Sequence, residues 1–403
     1  MPKALAEVAS LGSLSAAWHR LYSQTRTRSR DGYGIDGESP NKFRDSEAAK
    51  LRQLSFSVLK EKYNFSPLVA HFVPKPHGGA RVICVPTVRD RIVQRSILDY
   101  LTKHYMEAGK KSGKLRNPIS YGFIKGRTVR EAVHVAAKIR DTSPWVYKTD
   151  ITSFFDRVSR ERLRKGIERH VTEKTLHAIL IAASECEIDE SKRTTQKELT
   201  RRGIKKGVGV RQGMPLSPVF ANLLMVDFDR TLGRKKVKAI RYADDLIFFA
   251  SSKEEALKHH QFCTAELAKI GLEVPSLDVA NSKSKIFAPD EVADFLGLGI
   301  AKRDGVYRPI VTSDQFLVIR ERFIVLGQLN QLVSRRIRLA TFGAVLDATV
   351  AGYASSYQFC ENIEEVENQL QEFREAAIKH LLKDGLKVDL GSLSNDARIF
   401  LGF

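Results

Sequence analysis

Residues 240–249 read Ile-Arg-Tyr-Ala-Asp-Asp-Leu-Ile-Phe-Phe. β-Branched and aromatic residues on both sides of two adjacent acids predict a hairpin, with strand arms over Lys238–Ser251 meeting at Ala243-Asp244-Asp245. Arms this apolar need a larger body to bury them and leave the acids exposed at the tip. Upstream, Trp145–Asp150 predicts a second strand that also ends on an acid. Carboxylates at neighbouring strand ends can hold two hard cations about 4 Å apart. Such a pair activates a 3′-hydroxyl, holds the reacting phosphate and stabilises the leaving pyrophosphate, which is nucleotidyl transfer. Adjacent acids are also ordinary turn composition, so the rest of the chain has to decide.

Charge and composition point the same way. The 403 residues carry 66 Lys and Arg against 47 Asp and Glu, a formal charge of +19, with an ordinary 43% hydrophobic content. A folded body with a cationic surface most often meets phosphate. No run of about 18 apolar residues predicts a membrane span. The N-terminus shows no secretory pattern, so a cytoplasmic protein is expected. Cys84, Cys186, Cys263 and Cys360 lie far apart without metal-ligand spacing and are expected to be reduced thiols.

Residues 1 to about 50 read as a polar, irregular, basic arm with Arg20, Arg26, Arg28 and Arg30 around several glycines. Val69–Val73 and Arg81–Val85 predict two strands joined through Pro76-His77-Gly78-Gly79. Thr87 and Thr128 predict helix starts. Residues 186–206 read as an exposed connection, and Ser217-Pro218 as a helix start with Ser as the N-cap and Pro at the first position. After about 305 the pattern is helical only, with Thr312 and Gln315 capping the first helix. A mixed α/β body is thus followed by a helical lobe.

With the motifs in place, Tyr242-Ala243-Asp244-Asp245 resembles the YxDD signature of reverse transcriptases, and five further blocks follow the family in order. Lys75–Arg81 with Pro86–Gln94, and Ser120–Arg127, resemble the fingers of bacterial enzymes of the group II intron type. Asp150-Ile151-Thr152-Ser153-Phe154-Phe155-Asp156 resembles the first palm motif, Gly209–Pro218 the template-and-nucleotide motif, and Phe295-Leu296-Gly297 the primer grip. The resemblance implies an α+β right-hand polymerase. Its parts are an extension at 1–50, fingers at 51–149, a palm at 150–304 with part of the fingers inserted near 186–215, and a helical thumb at 305–403.

The resemblance also implies roles. Asp150, Asp244 and Asp245 are the catalytic acids; with the carbonyl of Ile151 they hold two Mg2+ ions, for which Mn2+ can substitute. Lys75 and Arg81 close over the triphosphate of a deoxynucleotide. Phe155 is the steric gate against a ribose 2′-hydroxyl, with Phe154 in the core. Gln212 and Gly213 lie under nucleotide and template. Lys283 or Lys285 protonates the pyrophosphate, and Arg335, Arg336 and Arg338 grip a duplex backbone.

Among reverse transcriptases the chain looks most like the defence-associated "unknown group". This implies RNA-templated DNA synthesis on a dedicated non-coding RNA in bacterial anti-phage defence. A chain that ends soon after the thumb disfavours a full intron-encoded protein. Val311-Thr312-Ser313 departs from the retron Val-Thr-Gly, although a retron-type enzyme making RNA-linked DNA stays an alternative. A catalytically unused RNA-binding scaffold is the reading from a different class, opposed by the retention of all three acids. An RNA-dependent RNA polymerase is opposed by Phe155 and Ala243. The primer and the oligomeric state are not legible.

Overall fold

The apolar runs at 69–74 and 80–85 pair as an antiparallel hairpin, β1 (Val69–Pro74) and β2 (Ala80–Val85), with Val69 opposite Val85. They belong to a computed structural model that describes residues 4–74, 80–107, 115–280 and 282–397. The connecting turn and Lys75 lie outside the described residues. Strand β3 (Trp145–Asp150), the hairpin β4 (Ala239–Tyr242) and β5 (Asp245–Ala250), and β6 (Lys285–Phe287) make a four-stranded sheet in the order β4-β5-β3-β6. β4 and β5 are antiparallel, with Tyr242 opposite Asp245. β7 (Ala293–Phe295), β8 (Leu298–Arg303) and β9 (Val306–Ile310) form a separate antiparallel sheet. Together with the many helices this is an α+β architecture.

The chain divides into two compact units: residues 1–128, 147–249 and 254–286, and residues 129–146, 250–253 and 287–403. In the first, the helix Ser217–Arg234 is buried from Val219 to Val226 and again at Phe228, Asp229 and Leu232. Its predicted cap is displaced by one residue. Leu216 is the N-cap, and the Ser217 hydroxyl instead donates to the Arg211 carbonyl at 2.6 Å, since that carbonyl is buried and needs a donor. Thr87 does cap Val88–Leu101, accepting from the Asp90 amide at 3.1 Å. The Asp90 carboxylate turns away to accept from the Tyr63 hydroxyl at 2.7 Å and the Ser66 amide at 3.2 Å.

Three sequence expectations are corrected. The first 50 residues are not irregular: Ala4–Val8, Leu11–Gln24 and Pro40–Arg44 are helices. Leu14, Ala17, Trp18 and Leu21 fall on one face at helical spacing and are buried, which holds the segment down despite its arginines. The exposed connection contains a helix, Arg193–Arg201, whose Leu199 is buried and whose Glu198 pairs with Arg201 and Arg202. The purely helical part starts at Ser313 rather than 305, because Val306–Ile310 pairs with β8. From there Ser313–Gly327, Leu339–Tyr357 and Ile363–His380 are the long helices of the second unit, and Thr312 caps the first as expected.

All four cysteines are free and buried. Burial pushes the thiols of Cys84, Cys186 and Cys263 up to about 12 and that of Cys360 up to about 11. Among the described residues no helix is long and apolar enough to cross a membrane.

Candidate active site

The sheet order places β3 beside β5, so the acid at the end of β3 comes to the hairpin tip. The Ile151 amide donates to the Asp244 carbonyl at 3.1 Å and ties the two strand ends together. Ala243 makes the turn possible by adopting φ 58°, a left-handed conformation that costs a side-chain-bearing residue roughly 1–2 kcal/mol. Beside it a cavity of about 530 Å³ opens. Seven residues given roles from the sequence line it: Asp150, Ile151 and Asp244, Arg81 from β2, Phe155, Gln212 and Lys283. Lys283 is ion-paired with Asp150 at the cavity, whereas Lys285 is exposed on β6.

The local chain explains each placement. Ser153 takes φ 49°, and Phe154–Arg157 forms one helical turn in place of continued strand. That turn buries Phe154 and leaves Phe155 half-buried at the cavity, with the two rings 5.4 Å apart. The Val210 amide holds the Phe155 carbonyl at 2.8 Å, and Gly209 at φ 83° passes so close that a Cβ would stand 2.7 Å from the Asp156 carbonyl oxygen. Gln212 is anchored by its carbonyl, which accepts from the Cys84 amide of β2 at 2.7 Å.

Two expected residues sit elsewhere. Gly213 does not line the cavity; at φ 107° it makes room for the Cys84 carbonyl, so its lack of a side chain serves the closure onto β2. Asp245 is also off the cavity wall. It is the first residue of β5, and successive strand side chains face opposite ways. Both acids of the hairpin are half-buried rather than exposed. Burial raises the Asp244 carboxyl above its usual range, the Asp150 charge adds to this, and Lys283 and Arg81 oppose it. Burial pushes Asp245 up to about 6, against the pull of Lys148 and with the help of Asp244 and Asp150.

Phe295, Leu296 and Gly297 lie in the second unit and form the β7–β8 turn. Leu296 at φ 54° and Gly297 at φ 77° give it two consecutive left-handed residues, as in a two-residue hairpin of the type I′ class. Phe295 is fully buried. Arg335, Arg336 and Arg338 are exposed.

Among the described residues no three His, Cys, Asp or Glu side chains gather to hold a metal ion. The cavity is nevertheless lined by three aspartates, Asp150, Asp156 and Asp244, with the Lys283 ammonium already on Asp150. Carboxylate oxygens of this kind suit Mg2+, which is held by one or two carboxylates and completed by substrate phosphates. The cavity wall also holds Thr152, Ser153 and Asp156, which the sequence reading placed in the first palm motif without giving them a role, and Pro275, which it missed. Sequence reasoning also missed Arg241, an arginine inside the apolar β4 arm; that placement was the available signal.

Residues 73–314 match the family described as Reverse transcriptase (RNA-dependent DNA polymerase). The chain belongs to the reverse transcriptase family. Its build is α+β, with the antiparallel β4–β5 hairpin carrying Asp244 and Asp245 at its turn. The Escherichia coli K12 protein YkfC is 28% identical over 207 residues, 49% of this chain and 49% of that protein. The retron Ec83 reverse transcriptase of Escherichia coli is 25% identical over 214 residues, 51% of this chain and 60% of the relative. The chain thus spans about half the length of the curated relatives it matches. Apo telomerase from Candida tropicalis superposes with a TM-score of 0.46 at 16% identity, covering 81% of this chain and 62% of that one.

Proposed function

We propose that this chain is an RNA-directed DNA polymerase acting by two-metal nucleotidyl transfer. The observation that carries the proposal is the convergence of Asp150, Asp244, Arg81, Phe155, Gln212 and Lys283 on one polar cavity. Asp150 and Asp244, with the Ile151 carbonyl, would hold Mg2+ or Mn2+, which supplies Lewis-acid activation of the 3′-hydroxyl and charge neutralisation at the phosphates. Asp245 adds negative charge beside them. Arg81 faces the triphosphate with a guanidinium suited to phosphate oxygens, and Lys75 is its proposed companion. The half-buried Phe155 ring stands where a 2′-hydroxyl would collide, which selects deoxynucleotides. Gln212 bears on the base pair. The 3′-hydroxyl loses its proton to solvent as its oxygen bonds to the α-phosphorus, the bond to the pyrophosphate oxygen breaks, and the Lys283 ammonium gives that oxygen a proton.

On this reading residues 51–149 with 186–215 serve as fingers, 150–304 as palm with Phe295-Leu296-Gly297 as primer grip, and 305–403 as thumb with Arg335, Arg336 and Arg338 on duplex phosphates. The +19 charge supports a bound RNA. The resemblance to defence-associated enzymes supports a dedicated non-coding RNA template and an anti-phage role in the cytoplasm. Asp150→Asn or Asp244→Asn should lower primer extension on an RNA template by on the order of a thousandfold or more, with the circular dichroism spectrum unchanged. Extension at the wild-type rate by either variant would refute the site. Phe155→Ala should admit ribonucleotides. RNA copurified from the native host and sequenced should be dominated by one structured species; heterogeneous RNA would remove the dedicated-template reading.

A further inference from the structure

Arg241 is 1% exposed, in the strand that leads into the catalytic turn. A guanidinium has five N–H donors in a rigid plane, and here each meets an acceptor. Nε donates to Asp229 Oδ1 at 2.8 Å, and Nη2 donates to Asp229 Oδ2 at 2.6 Å and to Ser120 Oγ at 2.9 Å. Nη1 donates to Asn222 Oδ1 at 3.0 Å and to the carbonyl of Ala243 at 3.2 Å. The acceptors are themselves fixed. Asn117 Nδ2 donates to Asp229 Oδ2 at 2.9 Å, and Asn222 Nδ2 donates to the Gly122 carbonyl at 3.0 Å. The main chains close the same loop onto β4, with the Tyr121 amide on the Arg241 carbonyl and the Arg241 amide on the Ile119 carbonyl, both at 2.8 Å. Gly122 lies directly against the Tyr242-Ala243 backbone, where a Cβ would stand 2.9 Å from the Tyr242 carbonyl carbon.

The carbonyl of Ala243 belongs to the peptide plane that carries the Asp244 amide. Fixing that plane fixes the direction in which Asp244 leaves the backbone, at a turn where Ala243 is held in an unfavourable left-handed conformation. A buried ion pair is weak support for stability, because an apolar pair of similar volume usually does as well. An apolar pair could not hold the carbonyl.

We propose that Arg241 is a positioning residue for the polymerase reaction: its guanidinium, anchored on Asp229, Asn222 and Ser120, holds the Ala243–Asp244 peptide so that Asp244 is presented to the cavity. This rests on the polymerase reading of the site. Arg241→Lys keeps a cation beside Asp229 but has neither the plane nor the donors to reach Asn222, Ser120 and Ala243 together. In single-turnover primer extension, normalised to the folded fraction, this variant should lose about 10- to 100-fold in maximal rate. Primer–template Kd and deoxynucleotide KM should stay within about twofold, because the surfaces that bind them are untouched. The pair Arg241→Met with Asp229→Leu, which keeps the packing without the charges, should fold and lose rate to at least the same extent. A wild-type maximal rate in either folded variant, or a loss that appears only in KM, overturns the proposal. A wild-type chain that extends no primer beside an active control overturns the polymerase reading and this one with it.

Discussion

Among the described residues, the two units each bury one arginine completely, and they do so by different chemistry. Arg241 in the first unit meets a carboxylate, Asp229, through a two-point ion pair and fills its remaining donors with neutral acceptors. Arg140 in the second has no carboxylate on its donors. It donates to four main-chain carbonyls: Pro144 at 3.2 Å, Ile300 at 2.5 Å, Ala288 at 2.8 Å and Glu291 at 2.7 Å. Its guanidinium carbon lies 4.4 Å from the centre of the Tyr307 ring. Burial lowers the Arg140 pKa, with Tyr307, Glu291 and Asp290 opposing. The first arrangement stores an opposite charge that must never be left alone, and the second only gathers loose backbone. The chain uses the stricter device at the turn that carries Asp244, the acid on the cavity wall.

The largest effect expected from this contrast is that of Arg241→Met alone. It strands the buried Asp229 carboxylate and should cost about 3–5 kcal/mol in urea unfolding, most of it recovered when Asp229→Leu is added. Arg140→Met leaves carbonyls without a donor but no unpaired charge, and should cost less, about 2–3 kcal/mol. If Arg140→Met proved the more damaging, the contrast would be wrong. Glu187 is an intermediate case, a part-exposed carboxylate between Arg160 and Arg211. Burial works against its charge, but hydrogen bonds from Arg211, the Gly207 amide and Arg160 outweigh this and hold the carboxyl below its ordinary 4.5. A lowered folded value means the contribution is present above pH 4.5 and is lost as pH falls through the lowered value. Glu187→Gln should therefore remove part of the acid sensitivity of unfolding below that pH, and an unchanged profile would show that the pair contributes nothing. The smallest effect belongs to the helix Leu339–Tyr357, where Phe342 and Leu346 are buried and Ala348 is exposed. Ala348→Lys should shift stability by no more than about 0.5 kcal/mol, checked by the same melts.

What the sequence made legible follows from how local the physics is. The Ala243-Asp244-Asp245 turn, the β1–β2 pair and the Phe154/Phe155 division each depend on neighbours a few residues away, and the structure agrees with all three. The N-terminal helices were readable from Leu14, Ala17, Trp18 and Leu21, but the count of arginines hid that periodicity. The cap at Ser217 was misjudged because the Arg211 carbonyl, six residues back, takes its hydroxyl. That Lys283 rather than Lys285 lies at the cavity depends on Asp150, distant in sequence, and the place of Asp245 depends on the pleat of β5. Arg241 was hidden for the same reason. Its partners are 12, 19 and 121 residues away, and no local pattern gathers them.

The buried thiols give each unit its own clock. Cys84, Cys186 and Cys263 belong to the first unit and Cys360 to the second, and all four are free, protonated at neutral pH and shielded. An alkylating reagent reaches them only when the surrounding structure opens, so pulsed labelling read by peptide mass reports four local opening rates in one experiment, on the unmodified protein. Adding primer, template or nucleotide during the pulse then shows which unit each ligand quiets, with Cys84, whose amide is bonded to Gln212, as the sentinel nearest the cavity.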